Sequence, residues 1–184
     1  MKSEDIFADL NALRSQDEIK KEDLMKILKK YSRIISPHDL MMATAVLRED
    51  GKYVQANYRE KFLEMYVKYF IMRIKEILDN VSDMSQDIDK EGFEDSLENL
   101  EHQFNKERSV QKEDSKFPLI YTLVSLYTTF ILEEPIHPVG SPFPGNLKVE
   151  EKDGKFYCPV KDAQMDNENA VCHFCLAQQT PKDE

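Results

Sequence analysis

From the first residues to about position 134, apolar side chains recur three and four apart, the spacing of helices that bury one face. Ile6, Leu10 and Leu13 mark a short first helix that Ser3 can cap. Ser15 followed by Glu18 reads as a capping box, in which each side chain satisfies the other's free backbone amide, ahead of Leu24, Ile27, Leu28 and Tyr31. Ser36-Pro37 predicts a fresh start, with serine as cap and proline at the position where its missing N–H costs nothing. That helix runs through Met41, Met42, Ala45 and Val46 and stops near Asp50-Gly51. The longest helix, Val54 to Asn80, carries Tyr58, Phe62, Met65, Tyr66, Tyr69, Phe70 and Ile77 on one broad surface. Val67, Ile71, Ile74 and Leu78 widen that surface further, and a helix so apolar around its circumference is expected in the middle of a bundle. An acidic helix from about 89 to 105 turns Phe93, Leu97, Leu100 and Phe104 inward, and a polar loop over 106–116 follows.

Phe117 to Leu132 is an uncharged run of sixteen residues. A bilayer span needs about twenty apolar residues, and this shorter run also contains Thr122, Ser125, Thr128 and Thr129. The expectation is a buried core helix that closes the bundle, not a membrane anchor.

At Glu133 the helical pattern ends, and residues 135–146 hold four prolines and two glycines. Leu147 to Glu150 and Lys155 to Cys158, joined around Lys152-Asp153-Gly154, predict a β-hairpin. A short terminal helix is expected over Ala170 to Gln179. The predicted fold class is therefore mainly α. A bundle of five to six helices fills residues 1–134, and a Pro/Gly-rich, Cys-rich metal-binding lobe containing the hairpin fills 135–184 and packs on the bundle.

Composition sharpens this in three ways. Only five glycines occur, three of them beyond residue 135, which favours helix over sheet before that point. The formal net charge of −10 weighs against a phosphate backbone as partner, and Lys20 to Arg33 alone offers a basic face. From Asp83 to Glu107 nine acids face two lysines, a solvated face or an acidic docking surface for a protein partner. The opening Met-Lys-Ser-Glu-Asp lacks the apolar run of a secretory signal, and three cysteines do not make a disulfide framework, so a cytoplasmic location is expected.

The chemistry lies in the last fifty residues. Cys158, Cys172 and Cys175 are the only cysteines, the last two forming Cys172-His173-Phe174-Cys175. Three soft thiolates, two of them on one turn, are the donors of a tetrahedral zinc site. Their neighbours are Lys, Asp, Asn and Gln, a poor setting for thiols that merely fill a core. His137, held between Pro135 and Pro138, is the expected fourth ligand. His173, Asp162 and water are the alternatives, and water on zinc would leave an open position for catalysis. An iron–sulfur cluster is the alternative to zinc. His38 and His102 lack companions at metal spacing and read as surface residues. Glu133 and Glu134 are distant candidates for a general base. Met41, Met42, Met65 and Met72 read as core filler.

At Ile136-His137-Pro138-Val139-Gly140-Ser141-Pro142-Phe143-Pro144-Gly145, Tyr157-Cys158-Pro159-Val160-Lys161 and Ala170-Val171-Cys172-His173-Phe174-Cys175, the chain resembles an uncharacterised archaeal, chiefly methanogen, family. It is the domain-of-unknown-function family two-one-one-five. The resemblance implies a cytoplasmic protein of an anaerobic archaeon, where an iron–sulfur cluster is easier to keep than in air, and implies no activity. The reading of the sequence is a non-enzymatic zinc protein, an interaction or regulatory module with protein partners and a structural Cys3His site. A metal-dependent enzyme, an iron–sulfur redox protein and a nucleic-acid-binding zinc module are the competing classes.

Overall fold

The computed structural model describes residues 2–53, 55–81, 84–110, 115–167 and 170–181. Six α-helices come first: α1 (Asp5–Arg14), α2 (Lys21–Ser32), α3 (Pro37–Asp50), α4 (Ala56–Asp79), α5 (Lys90–Val110) and α6 (Phe117–Leu126). Five short strands follow: β1 (Pro142–Phe143), β2 (Leu147–Lys148), β3 (Glu150–Lys152), β4 (Lys155–Cys158) and β5 (Gln178–Gln179).

Two of the helix starts differ from expectation. The Ser15–Glu18 box does not form. Ser15 instead ends α1, its hydroxyl donating to the Ala12 carbonyl at 2.7 Å, and α2 begins only after Lys20. Serine serves either end of a helix because its hydroxyl can donate as well as accept. Glu4, not Ser3, occupies the cap position of α1. The Ser36 cap does form, completed by the Asp39 carboxylate accepting from the Ser36 backbone N–H at 2.8 Å, with Pro37 in the first turn.

The middle of the bundle belongs to α6, not to α4. α6 packs against α2, α3, α4 and α5, and Leu119, Ile120, Leu123 and Leu126 are fully buried. With no charge to bring to water, every face of this helix can be covered at no desolvation cost beyond its hydroxyls. α4 buries Val67, Phe70, Ile74 and Ile77 but leaves Tyr69, Met72 and Leu78 exposed. The methionines depart from expectation in the same way. Met41 and Met42 are 61% and 51% exposed, and Met65 is half-buried. Phe93, Leu97, Leu100 and Phe104 of α5 are buried as one stripe, and no helix among the described residues is long and apolar enough to cross a membrane.

After Leu126 the helix widens into a π turn over Tyr127–Ile131, with the Leu132 amide donating to the Tyr127 carbonyl at 3.0 Å. Glu133 then takes a left-handed conformation at φ 55° and turns the chain out of the core. Both carboxylates at this exit meet buried cations. Glu133 pairs with Lys21 of α2 at 2.7 Å, and Glu134 pairs with Arg73 of α4, which also holds Glu76 at 2.6 Å. The general-base candidates are thus engaged where the chain leaves the bundle.

The hairpin is β3–β4, turned by Asp153 and Gly154 at φ 53° and 71°, the positive values that a two-residue turn between twisted strands requires. It begins at Glu150, three residues later than expected, because Leu147 and Lys148 pair with Phe143 and Pro142 instead. The expected terminal helix is absent. One 3-10 turn over Val171–His173 leads to β5, which lies parallel to β4 and uses its free edge. This C-terminal region has a core of Val149, Cys158 and Ala177.

Leu123→Ala should cost about 2–5 kcal/mol in chemical denaturation, the range for a truncated core leucine. A loss below about 0.5 kcal/mol would place the segment at the surface. A second outcome concerns Asp39. Burial acts to raise its carboxyl, but bonds from Ser36 and Lys116 outweigh burial and hold it below the ordinary value. Its contribution is therefore complete above the unfolded aspartate pKa and is lost as pH falls through the lowered folded value. Asp39→Asn should flatten the acid limb of the urea midpoint plotted from about pH 6 to about pH 2. An unchanged limb would mean that Ser36 and Lys116 do not hold this carboxylate in solution.

Candidate metal centre

β4 ends on Cys158, which is buried in the small core of the C-terminal region. Cys172 sits in the 3-10 turn, and the Cys175 amide closes that turn on the Val171 carbonyl at 3.0 Å. The Ile136 amide donates to Cys175 Sγ at 3.4 Å, tying the proline-rich stretch to the Cys172–Cys175 turn. Lys161 adds a further tie, its ammonium donating to the Cys175 carbonyl at 2.7 Å.

His137 is held on the other side by rings. Its imidazole lies 5.2 Å from Tyr66, 5.8 Å from Phe62 and 5.8 Å from Phe143, centroid to centroid. Phe62 and Tyr66 stand one turn apart on α4 and stack on each other, so one helix face supplies two walls. The side chain retains some surface, yet it is surrounded as densely as an interior group, and desolvation pushes its pKa down to about 4. The ring is neutral at physiological pH, the form that binds metals. Among the described residues it has no hydrogen-bond partner.

His137, Cys158, Cys172 and Cys175, with Lys161, line one enclosed cavity of about 10 Å³, room for a single small occupant. Among the described residues, no three His, Cys, Asp or Glu side chains already converge as a metal-holding group. The donor set, the cavity size and the unpartnered imidazole fit one soft or borderline cation. Electrostatics within the cluster point the same way. Burial, then Coulomb repulsion from Cys175, pushes the Cys158 thiol up, although backbone amides and Lys161 act against it. Burial and repulsion from Cys175 and Cys158 drive Cys172 up to about 11. The thiols of Cys158 and Cys172 therefore stay protonated unless a cation beside them reverses the balance.

The other candidates lie elsewhere. His173 is exposed and its Nε2 lies 3.0 Å from the Asn167 carbonyl, while Asp162 is exposed in a separate 3-10 turn. His38 and His102 are exposed. Lys161 and the ring wall of Phe62, Tyr66 and Phe143 were not singled out by sequence reasoning for this site. The four-residue spacing of Phe62 and Tyr66 was the available signal for the wall, but it could not say what would lean on it.

No solved structure matches this chain. Among curated relatives, a UPF0305 protein of Methanothermobacter thermautotrophicus is 32% identical over 156 residues, 85% of this chain and 94% of the relative. A UPF0305 protein of Methanocaldococcus jannaschii is 33% identical over 162 residues, 87% and 96% of the two chains. One from Methanopyrus kandleri is 31% identical over 131 residues, 68% and 87%. The family model described as "Uncharacterized protein conserved in archaea (DUF2115)" matches residues 20–180, a span that runs from the start of α2 through all three cysteines, and the chain belongs to that family.

Proposed function

We propose that this is a zinc protein without catalytic activity, in which Cys158, Cys172, Cys175 and His137 hold one ion that ties together the separate stretches of the Cys-rich C-terminal lobe. The observation that carries the reading is that four donor side chains from three separate stretches border one ion-sized cavity. A core of Val149, Cys158 and Ala177 is too small to order some forty residues by burial alone, and small segments in that position are commonly stapled by a metal. One imidazole with three thiolates is a structural zinc set. No carboxylate lines the cavity among the described residues, which supports a closed site over one with a base beside an open position. The Ile136 amide donating to the sulfur of Cys175 would orient its lone pairs and share its charge. A role as an interaction or regulatory module in the cytoplasm, with protein partners, accords with such a site.

Protein purified without oxygen should carry one zinc per chain by elemental analysis and no visible absorbance. Stoichiometric iron with charge-transfer bands would replace this reading by the iron–sulfur one, and a metal-free protein that takes up neither would end both. Cys172→Ser should release the ion and open residues beyond 135 to protease while the helical bundle keeps its circular dichroism. Metal loss with unchanged cleavage would argue that the ion does not hold the lobe.

His137→Ala should lower zinc affinity by about 10- to 100-fold or more, taking the loss of an outer-shell partner as the floor. His173→Ala should bind almost normally. The reverse ranking in a competitive chelator titration would move the fourth position from His137 to His173.

A further inference from the structure

A second, larger concavity lies between the bundle and the C-terminal strands, a cleft of about 560 Å³. That is within the roughly 300–1,000 Å³ of small-molecule sites, which favour such junctions. Its floor is the π turn, contributing Thr129 and Phe130. Its walls come from Lys21 on α2, from Asp87 to Gly92 at the start of α5, and from Lys155 and Phe156 on β4. Cys175 borders this cleft as well as the small cavity.

Several irregularities meet here. Lys21 is a buried lysine, donating to Gln86 Oε1 at 2.9 Å and to Glu133 Oε1 at 2.7 Å. An ammonium has three hydrogens, so one remains after these two bonds. Thr129 is almost wholly buried, and its hydroxyl has no partner among the described residues. Its helix is π at this point, a form found mostly as short insertions at functional sites. Glu133, on the rim, is left-handed. Lys155 is exposed on the opposite wall and has no ion-pair partner among the described residues.

Two cations of the cleft, Lys21 and Lys155, have hydrogens to give, although three carboxylates line it as well. Glu133 Oε1 is occupied by Lys21 and Asp89 Oδ2 by the Gly92 amide at 3.0 Å. Asp87, Asp89 and Glu133 nevertheless keep the walls acidic enough to repel a phosphate dianion. We propose that this cleft is a binding site for a small organic acid whose single carboxylate is held by Lys21 and Lys155, with the apolar remainder against Phe130 and Phe156. The proposal does not depend on a metal at the cysteines.

Calorimetric titration and thermal denaturation of the full chain with acetate, butyrate and benzoate, and separately with inorganic phosphate, test it. At least one carboxylate should bind saturably at one site per chain and raise the melting temperature. Lys155→Ser changes an exposed side chain that makes no ion pair, and should weaken that binding by about 10-fold, as expected for a lost charge-assisted bond. Lys21→Met should weaken it at least as much, with folding checked by circular dichroism. No saturable carboxylate binding up to about 10 mM, phosphate binding alone, or unchanged affinity in Lys155→Ser would each overturn the proposal.

Discussion

Everything in this fold is arranged around the absence of charge between Phe117 and Leu132. A helix that can be covered on all sides draws four others around it, and α2, α3, α4 and α5 each bring one apolar stripe to it. Their remaining faces stay in water, which is why the chain can be 33% charged and still have a core. The cost appears at the exit. A run with no charge must end by re-entering a charged surface, and it does so through Glu133 and Glu134, which meet the buried Lys21 and Arg73. Removing Glu133 would leave Lys21 without its ionic partner in a poorly hydrated place, a more damaging change than deleting a surface ion pair, whereas Arg73 would keep Glu76.

Much of the helical part was legible because its signals are local. Periodicity located all six helices, although the start of α2 and the end of α5 lie more than a turn from where it put them, and the Ser36-Pro37 start has a chemistry that few other conformations would use. The errors share a cause in tertiary competition. Ser15 could cap one helix or close another, and only the position of Lys20 against Asp87 decides between them. α4 is apolar enough for the centre of a bundle, but α6 is more so, and a comparison between helices cannot be made within a single window. Leu147 and Lys148 were assigned to the hairpin when Phe143 and Pro142 were the better partners, because a strand pattern does not name its mate.

For the candidate site, residue type and spacing chose four side chains that border one cavity, but none of the side chains that support them. Cys158, Cys172, Cys175 and His137 do border one cavity. The side chains that make His137 neutral and well packed come from α4, some seventy residues earlier, and contacts that distant leave no trace in local spacing. The cleft beside Lys21 had even less sequence signal. Its parts are two lysines, a threonine and two phenylalanines that are individually ordinary, and their distinction comes from assembly.

The dependence of His137 on Phe62 and Tyr66 also orders events during synthesis. All six helices precede residue 135 and are made first, and a domain in that position can fold as the chain emerges. The face of α4 that carries these two rings therefore exists, uncovered and apolar, before the strands that will shelter it leave the ribosome. For those seconds the bundle presents a sticky patch, and the last fifty residues act as its lid.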